Sequence, residues 1–184
     1  MASEKLILGI DPGTINMGFG LIAVSGKQNM KHVFTDTLHL HKLNDPHLKL
    51  KKIFERTLAI IDQYHPDEIA IEAPFFGKNV QSMLKLGRAQ GVAMAAGLYR
   101  EIPVVEYSPR KIKQSITGKG SASKEQVALM LKSLGLLEVL PKHLDETDGL
   151  AVAVCHFFQG GNGAEAKSYK GWDSFLKNNP DRLA

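Results

Sequence analysis

The chain has 184 residues, a formal net charge of +4 and a sequence pI near 9.1. That length suits one compact domain with some terminal excess, able to bury about 70% of its unfolded surface without a metal or disulfide to hold it. The single cysteine, Cys155, lies inside the apolar run Leu150–Phe158, which excludes a disulfide framework and a Cys-based zinc site.

In chain order, KLILGID (Lys5–Asp11) reads as a buried strand closed by a Pro12-Gly13 turn. A second strand follows near Gly18–Val24, then a hairpin loop at Gly26–Asn29 and a third strand around His32–Leu40. Asp45 is a good N-cap and Pro46 a good first helical residue. After them Leu50, Ile53, Phe54, Leu58, Ile61 and Tyr64 recur at helical spacing. Asp67–Glu72 returns to strand. Asn79–Tyr99 is a helix with a stripe of small residues, Gly87, Gly91 and Ala95, that lets another backbone approach. The sheet beneath is the simpler occupant of that stripe, and a partner subunit is the alternative.

Pro103–Tyr107 is a fifth strand, opened by its proline. Ser108-Pro109 starts a short helix, and Ser123 with Gln126 forms a capping box for another that Gly135 ends. A last helix runs from near Asp145 to about Phe158, followed by a flexible break at Gln159–Gly163. The order βββαβαβααα predicts an α/β fold, a five-stranded mixed sheet with helices on its faces. One domain over residues 1–160 and a C-terminal tail over 161–184 are expected. The opening MASEKLILGID has too few apolar residues for a signal-peptide core. The longest apolar stretch is about half the ~20 residues of a membrane span, so a cytoplasmic protein without a membrane segment is expected.

Charge is unevenly spread. Residues 78–124 hold nine basic and two acidic residues, a local +7, so the remainder of the chain carries −3. Such a segment is either a solvated face or a seat for a polyanion. Four acids stand out by position. Asp11 and Glu72 each end an otherwise apolar strand, and Asp145 and Asp148 share one face of the last helix's first turn. Taken singly, each has an ordinary explanation: Asp145 as an N-cap, Asp148 as a first-turn acid favoured by the helix dipole, Glu72 as a solvated strand end.

Should the first and fourth strands be neighbours, with the last helix across their ends, the four acids meet. Two carboxylates about 4 Å apart repel by roughly 4 kcal/mol at an effective dielectric near 20, so four require cations. Oxygen-only ligation points to Mg²⁺ or Mn²⁺. Two such ions about 3.5–4 Å apart form the clamp used in phosphodiester hydrolysis.

LGIDPGT–NMGFG, the strand ending AIE with Phe75 after it, KN–S–LKLG, VEYSPRKIKQSITGKGSASK and the closing DETDGLAVA resemble RuvC-type Holliday junction resolvases over about residues 5–158. The resemblance implies a homodimer of ribonuclease H-like fold that makes two symmetric cuts across four-way junction DNA, leaving 5′-phosphate and 3′-hydroxyl ends. It implies a catalytic and metal-binding tetrad of Asp11, Glu72, Asp145 and Asp148 with two Mg²⁺ per subunit, Mn²⁺ substituting. It makes Phe75 a wedge against bases near the branch point, unless that ring packs in the core. Lys113 and Lys124 become phosphate contacts near the scissile bond, and Asn79 and Ser82 further DNA contacts. Lys119 adds a charge beside them and is grouped with the DNA-binding residues. His143 reads as a loop residue. A branch-migration complex of the RuvA and RuvB type is the partner the family implies.

Three other readings share parts of this pattern. The DPGT turn resembles a phosphate loop of actin-like ATPases, but those need a second domain and a second such loop. RNA-processing ribonuclease H-like nucleases share the acids and lack the Phe75 and Lys113–Lys124 features. A junction-binding protein without catalysis would have no need of all four acids.

Overall fold

The computed structural model describes residues 4–26, 29–74 and 79–160. Five strands form one sheet in the order β3-β2-β1-β4-β5: β1 (Lys5–Asp11), β2 (Asn16–Ser25), β3 (Asn29–His39), β4 (Glu68–Glu72) and β5 (Val104–Tyr107). β1 pairs antiparallel with β2 and parallel with β4, and this adjacency sets the ends of β1 and β4 side by side. β2 begins at Asn16, two residues before the predicted start. Asn16 pairs with His39, and Leu40 N donates to Ile15 O at 2.7 Å, so the polar turn residue is recruited into the ladder.

Two-residue alternation divides the sheet into two chemical faces. Leu8, Ile10, Met17, Phe19, Leu21, Ile69 and Ile71 form one core with α1 (Pro46–Tyr64) and α2 (Val80–Tyr99). Ile7, Ile22, Ala70 and Tyr107 form the other, with α3 (Pro109–Thr117), α4 (Lys124–Ser133) and α5 (Asp145–Phe158). The caps lie where the sequence places them: Asp45 accepts from His47 N, Ser108 from Lys111 N, and Ser123 with Gln126 closes a capping box. Cys155 is buried.

The small-residue stripe of α2 corrects one expectation. The sheet receives Ala89, Ala93, Ala96 and Gly97, whereas a Cβ added at Gly87 or Gly91 would meet nothing within 4 Å. Gly91 and Ala95 are exposed. They lie in line with exposed Val80, Leu84 and Leu98, so the stripe faces away from the sheet.

α5 lies directly on the sheet backbone. A Cβ at Gly9 would stand 2.1 Å from Gly149 O and 2.4 Å from Ala153 N; one at Gly20, 2.3 Å from Leu150 N. From the helix side, a Cβ at Gly149 would stand 2.6–2.7 Å from the backbone of Phe19. Each obstacle is backbone, with no flexible side chain to yield. Gly149→Ala is therefore expected to lower stability by about 3 kcal/mol or more, at the upper end of overpacking costs. Urea denaturation measures this; a loss under about 1 kcal/mol would show that the helix can ride up without penalty.

Candidate metal centre and its basic rim

Asp11 and Glu72 fall on the α5 side of the sheet by the same alternation that places Gly9 and Ala70 there. Glu72 is held from behind. Ala73 N donates to Tyr107 O at 2.8 Å, and the buried amide of Gln90 donates to Glu72 O at 3.3 Å and Glu106 Oε2 at 2.7 Å. α5 completes the cluster. Its N-cap is Leu144, which makes no side-chain cap, so Asp145 is the first helical residue and not the cap. Asp145, Glu146 and Asp148 in this turn complement the positive end of the helix dipole.

Asp11, Glu72 and Asp148 line a cleft of about 180 Å³, walled by Pro109, Ile112, Val127 and Ala151 and rimmed by Lys113 and Lys124. Asp145 opens onto an adjoining hollow that shares Asp11 and Lys124. Lys124 Nζ bridges Asp145 Oδ1 at 2.9 Å and Asp148 Oδ2 at 2.5 Å. Asp145 Oδ2 accepts from Asn16 Nδ2 at 3.1 Å. The two aspartates differ in environment, Asp145 having 46% of its side chain exposed and Asp148 17%.

The electrostatics follow from burial and crowding. Burial pushes the Asp11 carboxyl well above the usual range, and repulsion from Glu72 and Asp148 adds to it. Burial, then repulsion from Asp148, raises Glu72 to about 7. Asp148 is raised by burial against the opposing hydrogen bond from Lys124. Asp145 is lowered by its hydrogen bonds from Lys124 and Asn16. Burial pulls Lys124 down, but hydrogen bonds to Asp148 and Asp145 outweigh it and keep the ammonium charged.

A divalent metal suits these residues. The acids in the cleft offer only oxygen donors, and too much negative charge to persist without a counter-cation. The Lys124 ammonium stands in for such a cation. Among the described residues, no three Asp, Glu, His or Cys side chains yet converge tightly enough to hold one ion.

The remaining sequence candidates are dispersed. Asn79 caps α2, its side chain accepting from Ser82 N at 3.1 Å, and both residues are exposed. Lys119 is exposed in the α3–α4 turn, lining a separate hollow with Leu129 and Met130. His143 lies in the loop before α5, as expected. Phe75 and the tail 161–184 lie outside the described residues. Asn16 and Gln90 were not singled out from sequence. Asn16 is 129 residues from the aspartate it holds, and Gln90 sits in a helix whose pattern reads simply as apolar.

The family model "Crossover junction endodeoxyribonuclease RuvC" matches residues 7–156. A protein of that name from Christiangramia forsetii is 64% identical over 183 residues, covering 100% of this chain and 95% of the relative. Another from Bacteroides fragilis is 56% identical over 182 residues, covering 98% and 96%. Among solved structures, T. thermophilus RuvC in complex with Holliday junction substrate superposes with a TM-score of 0.78 at 30% identity, covering 85% of this chain and 94% of that one. The yeast mitochondrial Holliday junction resolvase, 13% identical with a TM-score of 0.65, shares the fold.

Glu72 keeps its proton up to about pH 7 in the fold, but only to about 4.5 when unfolded. The metal-free protein therefore loses stability as pH rises between those values. Glu72→Gln removes that slope. It is expected to stabilise the metal-free protein at pH 8 by about 1–2 kcal/mol, read from urea midpoints in chelator. A destabilised variant would mean that Glu72 makes a favourable pairing in the metal-free fold.

Proposed function

The chain belongs to the RuvC family of crossover junction endodeoxyribonucleases, and from that premise we propose that Asp11, Glu72, Asp145 and Asp148 form its catalytic and metal-binding tetrad. The enzyme resolves Holliday junctions by hydrolysing DNA, in recombination and repair. It is metal-dependent, and the proposed complement is two Mg²⁺ per subunit, with Mn²⁺ substituting. The observation that carries this reading is the cleft itself: Asp11, Glu72 and Asp148 face one space, Asp145 stands at its edge, and Lys113 and Lys124 rim it.

The four carboxylates would hold the metal, which when bound supplies a lowered pKa for the attacking water and charge stabilisation for the leaving 3′ oxygen. The protein's own groups do the rest. Glu72 is fixed by the Gln90 hydrogen bond behind its carbonyl, and Asp11 by the β1–β2 ladder. The apolar wall of Pro109, Ile112 and Val127 keeps bulk water from the buried side of the cleft. Lys113 and Lys124 neutralise phosphate charge at the mouth. Asp145 and Asp148 would hold the metal in place of Lys124, whose ammonium would then be available to a phosphate. The cut then leaves 5′-phosphate and 3′-hydroxyl ends.

Beyond the cleft, Asn79 and Ser82 at the start of α2 are proposed DNA contacts, and Phe75 a proposed wedge against bases near the branch point. Lys119, exposed in the α3–α4 turn, is a further proposed DNA contact. Two symmetric nicks need two sites, so a homodimer is proposed, with the outward stripe of Val80, Leu84, Gly91, Ala95 and Leu98 as its apolar contact. A branch-migration complex of the RuvA and RuvB type is the proposed partner. No described helix is long and apolar enough to cross a membrane, and the proposed compartment is the cytoplasm.

The test is cleavage of a synthetic four-way junction beside linear duplex and structured RNA, with Mg²⁺ or with chelator. Paired nicks are expected only in the junction and only with metal. Asp11→Asn, Glu72→Gln, Asp145→Asn or Asp148→Asn should each reduce cutting by at least about 100-fold, roughly 3 kcal/mol of barrier, while junction binding survives. Any of these variants cutting at the wild-type rate would remove that residue from the tetrad. Sedimentation as a monomer on junction DNA would remove the paired-nick scheme.

A further inference from the structure

We infer that Asn16 is a positioning residue for Asp145, with His39 as the group that orients Asn16. Asn16 Nδ2 donates to Asp145 Oδ2 at 3.1 Å, and Asn16 Oδ1 accepts from His39 Nδ1 at 3.0 Å. The amide is thereby fixed in one orientation, its donor end on the carboxylate and its acceptor end on the imidazole. Asp145 Oδ1 is taken by Lys124, so Asn16 provides the hold on Asp145 from the sheet side.

The turn that carries Asn16 is tied down at the backbone. Gly13 passes so close to Asn16 O that an added Cβ would stand 1.6 Å from it. Lys49 Nζ, from α1, donates to Thr14 O at 2.9 Å. Leu40 N donates to Ile15 O at 2.7 Å, and Asn16 pairs with His39 across β2 and β3. One short turn therefore links two of the acids, Asp11 at its start and Asp145 through Asn16 at its end. Asp145 needs this more than the others. It is half exposed, and no side-chain cap stiffens the helix start that carries it.

This inference rests on Asp145 being a metal ligand. When metal takes the place of Lys124, the Asn16 amide remains to keep the Asp145 carboxylate aimed at the site, the role that hydrogen-bonded partners of metal ligands play elsewhere. Losing such a partner typically weakens metal affinity by 10–100-fold.

The experiment is Mn²⁺ binding to the DNA-free protein by calorimetry and electron paramagnetic resonance, with the melting temperature of each metal-free variant alongside. Asn16→Ala is expected to weaken Mn²⁺ binding by about 10-fold. Its junction cleavage should need correspondingly more metal yet approach the wild-type rate at saturation. His39→Phe should show a smaller loss in the same direction, and His39→Gln, which keeps a donor, should restore it. Should Asn16→Ala not fold, the His39 pair carries the same comparison. Weakened binding in Asp145→Asn with wild-type affinity in Asn16→Ala and His39→Phe would overturn this inference alone. Unchanged affinity in Asp145→Asn would overturn the ligand set, and this inference with it.

Discussion

The backbone of α5 lies on the backbone of β1 and β2 without side chains between them, and the site depends on that contact. Gly9 and Gly20 on the sheet and Gly149 on the helix leave no room for a Cβ. A helix normally stands off from a sheet because close-packed side chains fill the space between them. Removing that layer here sinks the first turn of α5 toward the strand ends, to the depth of Asp11 and Glu72. Asp148 then reaches across from the helix into the same cleft. The glycines give up apolar side-chain contacts at their own positions, and in return a helix-borne carboxylate meets a strand-borne one.

Such a cluster is costly to the fold. Burial and mutual repulsion raise Asp11, Glu72 and Asp148 together, so the acids resist full ionisation in the metal-free protein. Lys124 relieves part of the repulsion by bridging the α5 pair, while Lys113 adds positive potential at Glu72 and Asp148. The same two lysines face the mouth, where a phosphate would arrive. In the metal-free fold Lys124 sits on the carboxylates, and the proposed function would place the same ammonium on phosphate. This is the familiar conflict between stability and function at active sites, concentrated in a few side chains.

Much of this architecture is legible in the residues alone. KLILGID and DEIAIE are apolar runs that each end in an acid, so a parallel pairing in the register that aligns Ile10 with Ile71 sets Asp11 beside Glu72. The caps at Asp45, Asn79, Ser108 and Ser123 mark helix starts by local chemistry. Other features are silent. α2 carries small residues on two sides, Gly87, Gly91 and Ala95 on one and Ala89, Ala93, Ala96 and Gly97 on the other, so periodicity cannot say which meets the sheet. The Asn16–Asp145 bond joins residues 129 apart and leaves no local pattern. Resemblance marks Lys124 as an expected phosphate contact, but its salt bridges to the acids depend on how α4 docks against α5.

The most direct measurement is anomalous scattering from crystals of this protein soaked in Mn²⁺. Strong peaks are expected in the cleft, within bonding distance of Asp11 and of at least two among Glu72, Asp145 and Asp148, with Lys124 Nζ displaced from the α5 pair. Peaks held by other residues, or a saturating soak that leaves the cleft without anomalous density and Lys124 still on both aspartates, would contradict the account.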